Sequence, residues 1–354
     1  MNSYPYKNLT NSLKTPIEKK VSNTFFFGSI ITSQVFRARM ALIGEAPGFL
    51  EVYSDGSVRR LIPEVVVSTD NQSSKNYKFK DVVIDPKKPV TGRLFLPNVT
   101  GNHVAKLPIL VYFHGGGFCI GSTTWMGYHH FLGGLAVASN CVILSIDYRL
   151  APENRLPAAY EDCYSSLEWL AHQASCFEPW LQNADLSRVF LSGDSAGGNI
   201  VHHVALKTMK TNISNLTIKG LMLIHPYFGS EKRTEKEKAK GVEGFVEMND
   251  MFWRLSIPKG SNRDYFGCNY ENNTQEMSTE EWSKFPNVVV FVAGLDFLKE
   301  RGELYVNFLQ QKRVKVVKLI EAVDESHVFH VFRPESESTR LLQMQMTQFM
   351  NTFN

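Results

Sequence analysis

Long apolar runs are missing from this 354-residue chain, in which hydrophobic residues make up 43% and charged residues 21%. No stretch approaches the roughly 18 consecutive apolar residues of a membrane helix, so we expect no membrane partner. Both fractions are close to those of globular domains, which argues against disorder, collagen and coiled coil. An excess of one charge is also missing: the net charge is +3, and residues 1–40 alone carry +5. Because the remaining chain is not basic, a general nucleic-acid binder is not expected.

Cysteine is scarce as well. The chain has five cysteines, an odd number, without a close pair and without the spacing of a metal site. In a chain of this size that pattern indicates a reduced intracellular protein with no disulfide framework. We therefore expect no structural metal. The cysteines are Cys119, Cys141, Cys163, Cys176 and Cys268.

The amino end differs from the rest of the chain. Residues 1–39 are rich in Asn, Ser, Thr and Lys and poor in acids. That composition is typical of a plastid or mitochondrial transit peptide, and a disordered, dispensable tail is the alternative. We expect residues 40–354 to form a single folded domain. The expected location is cytoplasmic, or plastid if residues 1–39 are a transit peptide.

The body of the chain alternates between short apolar segments and helix-like segments. Such apolar segments are typical of strands buried on both faces of a parallel sheet, and their alternation with helices predicts an α/β fold with helices on both faces. An Asp-Gly turn at residues 55–56 predicts an amino-terminal hairpin. The predicted strands are 107–113, 141–146, 188–191, 221–224, 288–292 and 314–320; the predicted helices are 158–171, 196–209, 300–312 and 336–349.

A mixed-charge stretch, residues 230–245, lies between two predicted strands. Charged stretches of this kind usually form a solvated loop or helix face. Because the stretch is inserted in a strand–helix framework, a contribution to a mobile lid is the alternative.

The strongest chemical signal is the run Gly193-Asp194-Ser195-Ala196-Gly197. It follows a predicted strand and opens a predicted helix, which is the setting of a nucleophile elbow. Glycines two residues on either side of the serine permit a sharp turn that exposes the hydroxyl. The following helix amino terminus favours developing negative charge. Ser195 is therefore the predicted nucleophile.

A second motif, His114-Gly115-Gly116-Gly117-Phe118, follows another predicted strand. Acyl transfer passes through a tetrahedral oxyanion that needs hydrogen-bond donors aimed at it in advance. Glycines let the backbone present its N–H groups without an obstructing side chain. We assign the oxyanion hole to the N–H groups of Gly116, Gly117 and Ala196, with Gly115 as a further candidate.

A serine nucleophile needs a base that is oriented by an acid, and in this type of fold the order is serine, acid, histidine. Asp296 follows the predicted strand 288–292 and is the candidate acid. His327 and His330 both follow the predicted strand 314–320. Spacing alone leaves the choice of base open between these two histidines.

Together these motifs resemble the plant carboxylesterases, in the hormone-sensitive-lipase branch of the α/β-hydrolases. The resemblance covers about residues 46–350 and implies the α/β-hydrolase fold. It places the family triad on Ser195, Asp296 and His327, with His330 at a second, non-catalytic position. The segments that carry it are 110–119 (LVYFHGGGFC), 147–153 (DYRLAPE), 156–162 (LPAAYED) and 193–199 (GDSAGGN).

The resemblance also implies a lid, with elements near 40–70 and 230–265. Under it we expect a substrate pocket, with core packing as the alternative role of the aromatic residues. One departure from the family pattern is the pair of acids before His327, which we expect to raise the pKa of that histidine. The expected pocket residues are Phe118, Trp125, Met126 and Tyr128; the two acids are Asp324 and Glu325.

The resemblance implies a serine carboxylester hydrolase that acts on small-molecule esters of plant metabolism, without metal or organic cofactor, as a monomer or homodimer. Relatives that use a similar pocket for elimination or cyclisation make a lyase or cyclase the alternative. The gibberellin receptors of this branch lack the catalytic histidine. Because His327 is present here, a non-catalytic hormone receptor is less favoured.

Overall fold

An eight-stranded sheet forms the centre of the molecule. The computed structural model describes residues 41–61, 63–67, 74, 76–98, 106–176, 178–272 and 277–353. The predicted tail, residues 1–39, lies outside these ranges. The strands are β1 Leu42–Ala46, β2 Leu50–Tyr53, β3 Val58–Arg60, β4 Tyr77–Asp85, β5 Val90–Pro97, β6 Leu107–Phe113, β7 Val142–Asp147, β8 Ala184–Asp194, β9 Ile218–Ile224, β10 Asn287–Ala293 and β11 Val317–Ala322. In the large sheet the order is β11-β10-β9-β8-β6-β7-β5-β4, in which β4 with β5 and β5 with β7 pair antiparallel and all other neighbours pair parallel.

Helices cover both faces of this sheet, as the alternation in the sequence predicts. The apolar side chains of the central strands are fully buried, which stabilises the fold by about 1.5–3 kcal/mol for each large aliphatic side chain; β6, for example, is buried along its whole length. The helices are α1 Met126–Ser139, α2 Ala158–Cys176, α3 Ala196–Thr211, α4 Glu243–Ser256, α5 Thr279–Ser283, α6 Lys299–Gln311, α7 Phe329–Phe332 and α8 Glu337–Thr352.

Helix α1 is absent from the sequence-based assignment. Most of its length is buried, including Phe131, Leu132 and Leu135, so it lacks the polar stripe that makes a surface helix recognisable. Two consecutive glycines, which disfavour a helix, also obscure it. At both positions other side chains lie close to the backbone: a Cβ at Gly133 would lie 2.2 Å from the Tyr77 ring and one at Gly134 2.8 Å from the Gln343 amide.

The last strand begins later than predicted. We expected it to start at residue 314, but β11 starts at Val317. The N–H of Val314 donates to the carbonyl of Leu309 over 3.1 Å, so this residue still belongs to the turn that closes α6. An apolar residue that packs a helix end cannot be distinguished from the first residue of a strand by hydropathy alone.

The amino-terminal hairpin is part of a separate three-stranded antiparallel sheet, in the order β1-β2-β3. The turn residue Gly56 has a φ of +85°, which glycine adopts without strain. This small sheet lies beside α4, because a Cβ at Gly44 would approach the sulfur of Met251 to 2.9 Å. Among the described helices, none is both long and apolar enough to cross a membrane.

The mixed-charge stretch is more ordered than a solvated loop. It contains a short 3-10 helix, Lys236–Lys238, and continues into α4. Glu237 is buried and forms an ion pair with Arg301 of α6, with 2.8 Å between Oε2 and Nη2. The expectation of a solvated face was therefore wrong at this residue, because the local charge pattern does not show that a cation on another helix neutralises Glu237.

Candidate active site

Ser195 stands on the sharp turn between β8 and α3. Its φ of +51° and ψ of −117° lie outside the ordinary regions for a residue with a side chain. Glycines permit the turn: a Cβ at Gly197 would lie 1.8 Å from the carbonyl oxygen of Phe113, and one at Gly193 would lie 2.5 Å from Gly197. The Ser195 N–H donates to the carbonyl of Ile224 over 2.9 Å. This hydrogen bond to the neighbouring strand β9 helps to keep the elbow in its strained conformation.

The candidate acid, Asp296, and the candidate base, His327, lie beside this serine, after the carboxyl ends of β10 and β11. The Nε2 atom of His327 is 3.0 Å from Oγ of Ser195. Its Nδ1 atom is 2.6 Å from Oδ2 of Asp296. Because a carboxylate only accepts hydrogen bonds, Nδ1 carries the proton and Nε2 is left to accept from the serine. The other carboxylate oxygen accepts the N–H of Leu298 over 2.9 Å.

Burial and charge act in opposite directions on this pair. Burial favours the neutral imidazole, but the charge and hydrogen bond of Asp296, together with the charge of Asp194, raise the pKa of His327 above its ordinary value. Burial likewise would raise the pKa of Asp296, and the interaction with His327 outweighs it and lowers that pKa. We expected Asp324 and Glu325 to raise the histidine's pKa. The large contributions come instead from the two buried aspartates, and Glu325 forms an ion pair with Arg333.

The second histidine of the motif occupies a different place. His330 is fully buried against the Phe131 ring, 3.4 Å from the Tyr112 hydroxyl, and burial lowers its pKa to about 3.

A further histidine that the sequence did not single out, His225, accepts a hydrogen bond from the N–H of Val328 at its Nδ1 atom, over 2.9 Å. His225 follows β9 at the same sheet edge as the acid and base, and this position was the signal available in the sequence.

The oxyanion loop, residues 114–119, runs beside the elbow. The positive φ values of Gly116 (+100°) and Gly117 (+57°) let the loop turn sharply. The Gly115 N–H donates to the Tyr128 hydroxyl and to Oδ1 of Asp194, over 2.9 Å and 3.1 Å. These internal bonds correct the assignment of Gly115 as a candidate donor, since an N–H that serves two protein acceptors is not free for a substrate.

Asp194, the variable residue of the elbow motif, has a role that the sequence analysis missed. It is fully buried and accepts hydrogen bonds from the hydroxyls of Tyr112 and Tyr128 over 2.7 Å and 2.9 Å. Burial raises its pKa to about 6, although both hydroxyls oppose that change. Since it also accepts the Gly115 N–H, this carboxylate connects the elbow to the oxyanion loop. An acid shortly after the apolar run Val189-Phe190-Leu191 was the available signal in the sequence.

The four expected pocket residues have different surroundings. Phe118 is buried between the rings of Tyr160, Tyr227 and Trp253. Tyr128 is buried as well and directs its hydroxyl to Asp194. Both therefore take the packing role that was the alternative. Trp125 and Met126 are half-buried, and the Trp125 ring stacks on Phe49 of the loop before β2, with centroids 5.8 Å apart.

Helix α4 lies in the segment 230–265 where the resemblance implies a lid element, and it contacts both sides of the site. At its carboxyl end, the Phe252 ring lies against Gly117, 2.7 Å from the place of a Cβ. Towards its amino end, Phe245 stacks on Phe297, the residue after Asp296, with centroids 6.1 Å apart. The helix therefore reaches from the acid loop to the oxyanion loop.

Within the described ranges, the only three side chains placed to share a metal ion are those of His225, Asp296 and His327, whose potential ligand atoms lie within 4.8 Å of one another. All three already take part in the hydrogen bonds described above. A metal bound there would occupy the acid and the base, so this donor set fits general acid–base chemistry better than a resident metal.

Known proteins resemble this chain in sequence and in fold. A family model for the alpha/beta hydrolase fold matches residues 110–331. The Arabidopsis thaliana protein named Probable carboxylesterase 6 is 37% identical over 311 residues, covering 86% of this chain and 89% of that protein. The Tulipa gesneriana protein named Tuliposide A-converting enzyme 1, chloroplastic, is 39% identical over 287 residues, covering 80% of this chain and 71% of that protein.

A solved esterase from Pyrobaculum calidifontis superimposes with a TM-score of 0.66 at 27% identity, covering 78% of this chain and 85% of that one. Its fold and the two plant relatives agree with the fold class predicted from strand–helix alternation. The chain therefore belongs to the plant carboxylesterases, carboxylester hydrolases of the hormone-sensitive-lipase-like branch of the α/β-hydrolase fold.

Proposed function

We propose that Ser195, His327 and Asp296 hydrolyse a small-molecule carboxylic ester through a covalent acyl-enzyme. The single observation that supports this best is the unbroken hydrogen-bonded chain from Oγ of Ser195 through the imidazole to the carboxylate, with distances of 3.0 Å and 2.6 Å. A serine, a base and an orienting acid in this order are what nucleophilic catalysis by a hydroxyl requires.

In the first half of the reaction, Oγ of Ser195 attacks the ester carbonyl carbon as Nε2 of His327 takes the hydroxyl proton. The carbonyl oxygen becomes an oxyanion, which in our assignment accepts hydrogen bonds from the N–H groups of Gly116, Gly117 and Ala196. The carbonyl double bond then re-forms, and the bond to the alcohol oxygen breaks. The imidazolium gives its proton to the departing alcohol, and the acyl group stays on Ser195.

In the second half, a water molecule takes the place of the alcohol. His327 removes a proton from that water as its oxygen attacks the acyl carbon, and a second tetrahedral oxyanion forms. When this intermediate collapses, the proton returns to Oγ of Ser195 and the carboxylic acid leaves. Asp296 keeps Nδ1 protonated and stabilises the charged imidazolium in both halves.

The test is hydrolysis of a short-chain p-nitrophenyl ester series by the full chain and by the variants Ser195→Ala and His327→Ala. We expect both variants to lose turnover while circular dichroism stays unchanged. A burst of p-nitrophenol in the wild type, absent from Ser195→Ala, would support the acyl-enzyme. If Ser195→Ala keeps most of the esterase rate, the proposed mechanism is wrong.

A second candidate is elimination or cyclisation of a plant metabolite, with His327 as base and no acyl-enzyme. The tulip relatives motivate it, since their names describe conversion of tuliposide A rather than hydrolysis. This candidate predicts weak ester turnover and a larger loss for His327→Ala than for Ser195→Ala. A metabolite screen with the same three proteins distinguishes the two candidates.

For the location, we infer a plastid address in residues 1–39 as the alternative to the cytoplasm. Relatives that are 39% identical are named chloroplastic or amyloplastic, and the composition of the segment is compatible with a transit peptide. A fusion of residues 1–39 to a fluorescent protein tests the address in plant cells. Diffuse fluorescence would favour the cytoplasm.

A further inference from the structure

We propose that Arg60, at the end of β3, is a positioning residue for the oxyanion hole, which it reaches from the amino-terminal sheet. Its guanidinium contacts the loop that carries Gly116 and Gly117, although the residue lies far from them in the sequence. This inference rests on the proposed function, because it assumes that those two amides stabilise the oxyanion.

Arg60 uses three nitrogen atoms to join three parts of the chain. Nε donates to the carbonyl of Cys119 over 2.6 Å, and Nη2 donates to the carbonyl of Ala151 over 2.7 Å. Nη1 and Nη2 also reach both carboxylate oxygens of Glu153, over 2.8 Å and 2.6 Å. Such a planar, bidentate arrangement fixes direction as well as distance, which the ammonium group of a lysine cannot do.

The turn next to these contacts is strained. After the two glycines, Phe118 also has a positive φ, +64°, a conformation that a residue with a bulky side chain adopts only when its surroundings impose it. Its carbonyl accepts the N–H of Ala151 over 2.9 Å. Arg60 contacts Cys119, which follows Phe118, and Ala151, whose N–H donates to the Phe118 carbonyl. The guanidinium is therefore placed to keep the turn, and the hole amides before it, in the working conformation.

The two ends of the oxyanion loop are thus held by different parts of the protein. Asp194, from the elbow, holds Gly115 at the beginning, and Arg60, from the amino-terminal sheet, holds Cys119 at the end. The sheet has other attachments, such as the Phe49–Trp125 stack and the hydrogen bond from the Val66 N–H to the Thr124 carbonyl. Loss of the guanidinium therefore leaves the sheet in place but weakens the attachment of the end of the loop, which keeps the hydrogen bond from the Ala151 N–H to the Phe118 carbonyl.

The experiment compares Arg60→Ala with Arg59→Ala in the full chain, using p-nitrophenyl acetate. Arg59 is a matched control, because it lies next to Arg60 and its exposed side chain forms an ion pair within the small sheet, with Glu51. We expect Arg60→Ala to lower kcat about tenfold to hundredfold, somewhat less than loss of a hole donor itself. KM should change less than about threefold, and Arg59→Ala should leave both constants near wild type.

A trifluoromethyl ketone supplies a readout that depends on the hole. Ser195 Oγ adds to its carbonyl carbon, His327 takes the proton, and the former carbonyl oxygen becomes an oxyanion. In Arg60→Ala, the affinity for the trifluoromethyl ketone should fall by the same factor as kcat/KM. Inhibition by the carboxylic acid product should not change. Added methylguanidinium should restore part of the rate of Arg60→Ala and leave Arg59→Ala unaffected.

Arg60→Lys and Glu153→Gln keep the test decisive if Arg60→Ala does not fold. Arg60→Lys should lose most of the effect of the guanidinium, and Glu153→Gln, which leaves both carbonyl contacts, should lose about two- to fivefold in kcat. A folded Arg60→Ala with wild-type kcat and ketone affinity would overturn the inference while Ser195→Ala stays inactive. An active Ser195→Ala would instead overturn the proposed function.

Discussion

The floor and the roof of the site are built in different ways. The floor consists of the carboxyl ends of β6, β8, β9, β10 and β11 with the loops that follow them, including Ser195, Asp296 and His327. The roof consists of β1–β3 and helix α4. Asp194 and Asp296 of the floor are 0% and 3% exposed, whereas Leu42 and Ile43 of the roof are 50% and 63% exposed.

This difference separates two tasks. In the floor, strands buried on both faces fix the reacting groups, so their positions follow from the core itself. The roof also packs into the core, where Leu50 and Trp253 are fully buried. It meets the oxyanion loop through Arg60 with Cys119 and Phe252 with Gly117. Substitutions in the floor should therefore act on the chemical step, and those in the roof on access to it and on stability, except at Arg60, which contacts the oxyanion loop directly. The predictions below test this division.

The largest effect should come from the acid of the floor. Asp296→Asn keeps the size of the side chain but removes the charge that fixes the tautomer of His327, so kcat should fall by about 10⁴-fold. Asp324→Asn is the matched control, an exposed acid close to the same histidine in the sequence. It should change kcat by less than about twofold, since surface charges contribute little. Steady-state hydrolysis and circular dichroism measure both; a large loss in Asp324→Asn would contradict the division.

The next effect is the dependence on pH. The base must be neutral, and the pKa of His327 is raised above its ordinary value, so kcat/KM should be constant above that pKa and fall about tenfold per pH unit below it. The lowered pKa of Asp296 keeps that acid charged through this range. A pH profile of kcat/KM measures this fall at low pH, the acid limb of the profile. A profile that stays flat down to pH 5 would contradict His327 as the base.

Asp194→Asn should have a smaller effect, about tenfold on kcat, because it disturbs the loop without removing a reacting group or a hole donor. It also removes a negative charge that raises the pKa of His327, so the acid limb should move to lower pH. Asp185→Asn, in the half-buried start of the same strand, is the control and should leave the position of the acid limb unchanged. If Asp194→Asn loses rate while the acid limb of its pH profile stays in place, the role of Asp194 is packing alone.

The smallest effect should come from an ion-pair network in the roof. Asp250 of α4 contacts Arg263 at 3.1 Å and also pairs with Arg233. Asp250→Asn should lower the free energy of unfolding by about 1 kcal/mol, as measured with urea, because these groups are partly exposed. Its kcat should stay within about twofold of wild type. A large fall in kcat would show that the roof shapes the chemical step.

The sequence predicted the floor well because its determinants are local. A glycine pair around a serine, a glycine run after a strand and a carboxylate beyond a strand end each have one structural use in this fold. The choice between His327 and His330 was not local: spacing left it open, and only the resemblance assigned it. The structure adds that His330 is buried against Phe131, a contact between residues almost 200 positions apart.

The sequence by itself thus determined the fold class, the strands β6 to β11 with the helices α2, α3, α6 and α8, and the chemical types at the site, because periodicity and turn chemistry act over a few residues. It did not determine α1 or α4. Only the tertiary structure decided which groups meet: Gly115 with Asp194, Glu237 with Arg301, and Arg60 with the end of the oxyanion loop. The physical reason is that a buried charge or N–H must find a partner, and the sequence alone does not show which distant strand or helix supplies it.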